Sequence, residues 1–101
     1  MELKVDLRKE EETLFVDLQG DLDINSNKEL KEKVNSIEGV KKIIINCENL
    51  SYVDSTGLGA FISIYKHIKE KGEGLVIRGL KPHIKKIFLI TDLDKVFEIE
   101  E

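Results

Sequence analysis

Residues 53 to 59 read Val53, Asp54, Ser55, Thr56, Gly57, Leu58, Gly59: a carboxylate and two hydroxyls followed by two glycines, set between apolar runs. A hydroxyl in such a turn has three uses. It can cap a helix by accepting a backbone N–H, attack a substrate if a base stands beside it, or bind or accept a phosphoryl group. Phosphorylation adds about −1.5 to −2 charge at a place where a helix dipole tolerates it. From spacing alone, Ser55 or Thr56 as an N-cap and Ser55 as a modified or binding serine both stand open.

Other chemistry finds less support. A nucleophilic Ser55 needs a base, and neither His67 nor His83 lies in a pattern that supplies one. The string Asp54, Ser55, Thr56, Gly57 superficially matches the Asp-Thr/Ser-Gly of aspartic proteases, but an extra residue separates serine from glycine and the motif occurs once. His67, His83 and Cys47 share no metal-ligand spacing, and no Gly-x-x-x-x-Gly-Lys-Ser/Thr loop is present. No metal, cofactor or catalysis is therefore expected. Gly57 and Gly59 read as places where the backbone approaches a neighbour or a partner protein closely.

The elements that must hold this turn follow from periodicity. Leu3, Val5 and Leu7 alternate with polar residues, and the alternation resumes at Leu14, Val16 and Leu18 after a charged turn, which predicts a hairpin. Gly20, Asp21, Leu22 and Asp23 then open a loop. Ser26 and Glu29 have capping-box spacing, so a helix bearing Leu30, Val34 and Ile37 should start there and end at Gly39. Val40 to Cys47 forms a strand buried on both faces, with Ile43, Ile44 and Ile45 at its centre. Ser55 thus sits between the carboxyl end of a strand and the amino end of a helix, a favoured binding position in open α/β sheets.

That helix carries Leu58, Phe61, Ile62, Tyr65 and Ile68 at helical spacing, widened by Ala60 and Ile64. Gly72 and Gly74 bracket its exit, Leu75 to Ile77 form a short strand, and Pro82 suits the first turn of a last helix with Ile84, Ile87 and Phe88. Val96 to Ile99 could close the sheet as an edge strand. The order β, β, α, β, α, β, α, β predicts an α/β fold: a mixed central sheet of four to five strands, opened by a β-hairpin, with helices packed on it.

The totals agree with one domain over residues 1–101, since 41 % hydrophobic residues in periodic clusters suffice for one core. A formal net charge of −4 argues against direct nucleic-acid or membrane binding. Lys81, Lys85 and Lys86 beside His83 read as a solvated helix face. No stretch reaches the roughly 20 apolar residues of a membrane span, and no signal-peptide core opens the sequence, so a cytoplasmic location is expected. The single Cys47, at the end of an isoleucine run, reads as a buried structural thiol.

The segment Leu50 to Gly59, with Gly20, Asp21, Leu22, Asp23 before it, resembles the bacterial anti-sigma factor antagonists, small proteins built of one STAS domain. The likeness extends from the opening hairpin to the Pro82 helix. It implies that Ser55, directly after the aspartate, is the phosphoacceptor. It also implies that Asp23, Asp54, Ser55, Thr56, Gly57, Leu58 and Gly59 meet a partner. The implied partners are an anti-sigma factor that is also a serine kinase, and a metal-dependent phosphatase of the PP2C type that restores the unmodified form. Binding of the unmodified protein frees the sigma factor, and phosphorylation switches binding off. Asp23 could equally serve the nearby helix as a cap. Family members often carry a further helix after the last strand, whereas this sequence stops at Glu101. A barer sheet face or edge, and a homodimer formed through it, are compatible with that. The alternative is a stand-alone STAS module that binds a nucleotide or other anion at the Ser55 turn, or a different protein.

Overall fold

The alternating first residues pair as a hairpin in the computed structural model, which describes residues 2–101. Strand β1 (Lys4–Glu10) lies antiparallel to β2 (Thr13–Leu22), and Glu11 takes a positive φ of 55° in the turn between them. Three further strands follow in parallel: β3 (Lys42–Val53), β4 (Gly74–Arg78) and β5 (Glu98–Glu100). Strand order in the sheet repeats chain order, β1-β2-β3-β4-β5. The helices α1 (Asn27–Asn35), α2 (Ser55–Lys71) and α3 (Pro82–Ile90) make the connections. The expected mixed α/β sheet is therefore present, with five strands.

All three helices turn their apolar stripes onto one core. Leu30 and Val34 of α1, Phe61, Ile64 and Ile68 of α2, and Ile84 and Phe88 of α3 join Leu14, Val16 and Leu18 of β2 and Ile43 and Ile45 of β3 in one buried cluster. Phe88 sits at its centre, with ring centroids 5.8 Å from Phe61 and 6.1 Å from Phe97. Strand alternation sends Ile44 and Val76 to the opposite face; both are buried yet lie outside that cluster. That face has a polar cover. The Arg8 guanidinium lies 4.4 Å from the Phe15 ring centroid, Asn46 Nδ2 donates to Asp17 at 3.0 Å, and Arg78 Nε donates to Glu100 at 2.6 Å.

Several boundaries differ from the sequence expectation. β2 does not stop at Gly20: a shift of register against β3, with Gly20 at φ 102°, lets it continue to Leu22. β3 likewise runs on to Val53, so it is longer than Val40 to Cys47. α1 ends at Asn35, before Ile37 and Gly39, and Gly39 at φ 73° serves the connection to β3 instead. A 3-10 turn at Leu93–Lys95 precedes the last strand, which starts at Glu98 rather than Val96. Pro82 occupies the first turn of α3 as expected.

Candidate functional site

β3 ends at Val53 and α2 begins at Ser55, so the single residue Asp54 makes the corner. Asp54 takes an extended backbone conformation, and its Oδ1 accepts from the Gly57 N–H at 2.9 Å and from the Thr56 hydroxyl at 2.6 Å. It is the N-cap of α2. Neither Ser55 nor Thr56 does that work; Thr56 instead steadies the cap.

The Thr56 hydroxyl first, and the Gly57 amide second, hold the Asp54 carboxyl below its ordinary range, with smaller help from the Ile24 and Thr56 amides against partial desolvation. Asp54 is therefore ionised at neutral pH. Ser55 is left exposed in the first turn, and its hydroxyl takes part in no hydrogen bond among the described residues. No acidic residue stands in that first turn, so the helix dipole there is met by the cap alone.

The two glycines divide the roles foreseen for them. A Cβ on Gly57 would lie 2.6 Å from the Leu22 carbonyl oxygen and 2.9 Å from Leu22 Cγ, so the start of α2 rests directly on the end of β2. A Cβ on Gly59 would meet nothing within 4 Å. Gly57 answers to a neighbour within the fold, whereas Gly59 lies exposed and faces open space. Leu58 and Ile62 are half-buried and pack against the core.

The loop after β2 is bound to this corner. The Asp54 N–H donates to the Leu22 carbonyl at 3.3 Å, and the Ile24 amide points at the Asp54 carboxylate. Within the loop, Asp23 Oδ1 accepts from the Asn25 amide at 3.0 Å and from the Ser26 hydroxyl at 3.3 Å, while the Asp23 carbonyl accepts from Ser26 and Asn27. Asp23 thus shapes the turn leading into α1. The expected capping box does not form. Ser26 Oγ accepts from the Asp23 amide and donates to the Asp21 carbonyl, and Glu29 pairs with Lys33 at 3.1 Å instead of reaching back.

The fold therefore brings Asp23, Asp54, Ser55, Thr56 and Gly57 to one rim at the carboxyl ends of β2 and β3. Beside the loop lies an open hollow of about 480 Å³ whose lining includes Asp21, Asp23 and Glu29, so the surroundings are acidic. Ile24, 70 % exposed, belongs to the same rim. Sequence reasoning passed over it because one apolar residue in a polar loop has no periodicity to betray it. His83, at the start of α3, makes a ring-nitrogen hydrogen bond of 2.9 Å to the Ser51 carbonyl and so ties α3 to the end of β3. No cluster of His, Cys, Asp or Glu among the described residues could hold a metal ion, and no described helix is long and apolar enough to cross a membrane.

Comparison with known proteins gives a consistent picture. The STAS domain profile matches residues 4–101. The anti-sigma-B factor antagonist of Staphylococcus aureus is 32% identical over 103 residues, covering 100% of this chain and 95% of that protein. The anti-sigma-B factor antagonist of Bacillus subtilis is 32% identical over 100 residues, covering 98% of this chain and 92% of that protein. Among solved structures, the Bacillus cell fate determinant SpoIIAA in its phosphorylated form superposes with a TM-score of 0.76 at 23% identity, covering 95% of this chain and 90% of that one.

Proposed function

The chain belongs to the STAS domain family of anti-sigma factor antagonists, and from that premise we propose a switch operated at Ser55. Unmodified, the protein binds an anti-sigma factor serine kinase and so frees the sigma factor. The kinase transfers the γ-phosphoryl group of ATP to the Ser55 hydroxyl, the modified protein leaves, and a phosphatase of the PP2C type returns it to the binding form. The cycle is set in the cytoplasm, and residues 1–101 act in it as one STAS domain. The protein is the substrate and the ligand of its partners, with no catalysis of its own.

The observation that carries this reading is the division of labour at the corner. Because Asp54 is the cap, the Ser55 hydroxyl carries no structural duty and stands exposed to a kinase. A phosphoryl group on it lies near the positive end of α2, so the fold tolerates the new charge. The docking surface does not. A dianion beside the ionised Asp54, itself bonded to the residue before Asp23, deepens a local negative field, and covering it without a cationic partner carries a heavy desolvation cost. Gly59 supports the same reading, since an exposed helical glycine with no internal neighbour leaves room for another protein's backbone.

Free-anion binding at the turn fits less well. The Gly57 amide that would receive an anion is already taken by Asp54, whose own ionised carboxylate stands at the turn. Two measurements test the switch. Incubation with the purified anti-sigma kinase of the same organism and ATP, followed by peptide mass mapping, is expected to place phosphate on Ser55; phosphate on Thr56 alone, or nowhere in this turn, refutes the assignment. Ser55→Ala is expected to fold and bind the kinase as the wild type does, and Ser55→Asp to bind it far more weakly. Equal affinities for the two variants would falsify the charge mechanism.

A further inference from the structure

Ile24 is the feature that the switch leaves unexplained. It is 70 % exposed, whereas the other large aliphatic residues in the two segments that meet at the corner, Leu22 and Val53, are buried. Its loop is not slack. Asp23 and Ser26 exchange hydrogen bonds across it, and Asn27 Nδ2 donates to the carbonyls of both Asp23 and Ile24 at 3.1 Å. The Leu22 carbonyl, two residues before Ile24, accepts from the Asp54 amide at 3.3 Å, one residue from Ser55. An aliphatic side chain is thus held out to solvent by a bonded frame, fixed to the residue that caps the switch helix.

We propose that Ile24 is an apolar anchor of the antagonist's complex with its anti-sigma factor kinase. The partner feature it enters is a small hydrophobic pocket rimmed by basic side chains. This rests on the switch reading above. A partner that reaches the Ser55 hydroxyl covers the Asp54 corner, and the loop bonded to that corner is covered with it. Hydrophobic contact supplies affinity there without requiring the loop to be ordered first, because its hydrogen bonds already order it. The carboxylates of Asp23, next to Ile24 in the chain, and of Asp54, at the corner to which the same segment is bonded, call for positive charge on the facing rim, as complementarity at an interface requires. Phosphate on Ser55 then acts on a contact whose apolar centre and charged edge are both close by, which is why one modification suffices to dismiss the partner.

Calorimetry of the full chain against the purified anti-sigma kinase of the same organism tests this with Ile24→Ser, Ile24→Leu and Ser55→Asp. Ile24→Ser is expected to leave the melting temperature unchanged, since the side chain is exposed, and to weaken binding about tenfold or more, mainly through faster dissociation. Ile24→Leu is expected to restore most of the affinity. Binding by Ile24→Ser within twofold of wild type, alongside the loss caused by Ser55→Asp, overturns the anchor and leaves the switch standing. Binding that survives Ser55→Asp, or a wild type that does not bind the kinase, overturns the switch and the anchor with it.

Discussion

Replacing each of the two glycines of the α2 start by alanine, one at a time, is expected to move stability in opposite directions. At Gly59 the added methyl meets nothing within 4 Å, so only the backbone effect remains. Alanine in a helix is favoured over glycine by about 0.8–1 kcal/mol, and Gly59→Ala should stabilise by about that amount. At Gly57 the same preference is opposed by contact. The new Cβ falls 2.6 Å from the Leu22 carbonyl oxygen, 2.9 Å from Leu22 Cγ and 3.1 Å from Val53 Cγ1. The oxygen is backbone and already accepts from the Asp54 amide, so it cannot turn aside without disturbing the corner. Overpacking of this kind typically costs about 1–3 kcal/mol. Gly57→Ala is therefore expected to be destabilising, by up to about 2 kcal/mol net. Urea unfolding followed by far-UV circular dichroism reads both, with Gly59→Ala shifting the midpoint up and Gly57→Ala shifting it down at unchanged m. In a domain of this size 1 kcal/mol corresponds to roughly 4–8 °C in melting temperature, which gives a second, independent readout. A Gly57→Ala variant as stable as Gly59→Ala would refute the close packing of α2 on the end of β2.

Two further outcomes follow from the titratable groups. Hydrogen bonds to ionised Asp54 lower its pKa in the folded state, so its contribution is complete above the carboxylate range and is lost as pH falls through the lowered folded value. The stability advantage of the wild type over Asp54→Ala should therefore be constant near neutrality and shrink below about pH 4, where the unfolded carboxyl begins to take up its proton. An advantage that does not change between pH 7 and strongly acid solution would show that the charged carboxylate is not what caps α2. Burial pushes the Cys47 thiol up to about 12. A disulfide reagent at pH 8 is accordingly expected to react with it only after denaturant unfolds the chain, and rapid labelling of the native protein would contradict its placement in the core.

The sheet and its helices were legible because their apolar residues recur at periods that polar loops do not interrupt. Ile43 to Ile45, or Phe61, Ile64 and Ile68, admit few other arrangements. The position of Ser55 at the strand-to-helix corner was legible for the same reason. What the turn does internally was not, since Asp54, Ser55 and Thr56 are all good caps and adjacent in sequence. The choice falls to Asp54 through the Gly57 and Thr56 contacts, which depend on how α2 sits against Leu22. The capping box at Ser26 failed by a similar competition, as the Asp23 turn claimed the serine hydroxyl first. The continuation of β2 through Gly20 and Asp21 runs against the usual meaning of those residues. It rests on a change of register with β3, a tertiary relation that one strand's pattern does not encode.

Because the strands stand in the sheet in the order in which they occur in the chain, β3 is the middle of both. Structure of this kind opens from its borders, the β1 hairpin on one side and the three-residue β5 on the other, and central backbone amides exchange with solvent last. Ser55 is attached at the end of that most protected strand. In the switch proposed above, a phosphoryl group on Ser55 would therefore meet a support that does not yield, and the message would be carried by what the surface presents to a partner rather than by refolding of the protein beneath it.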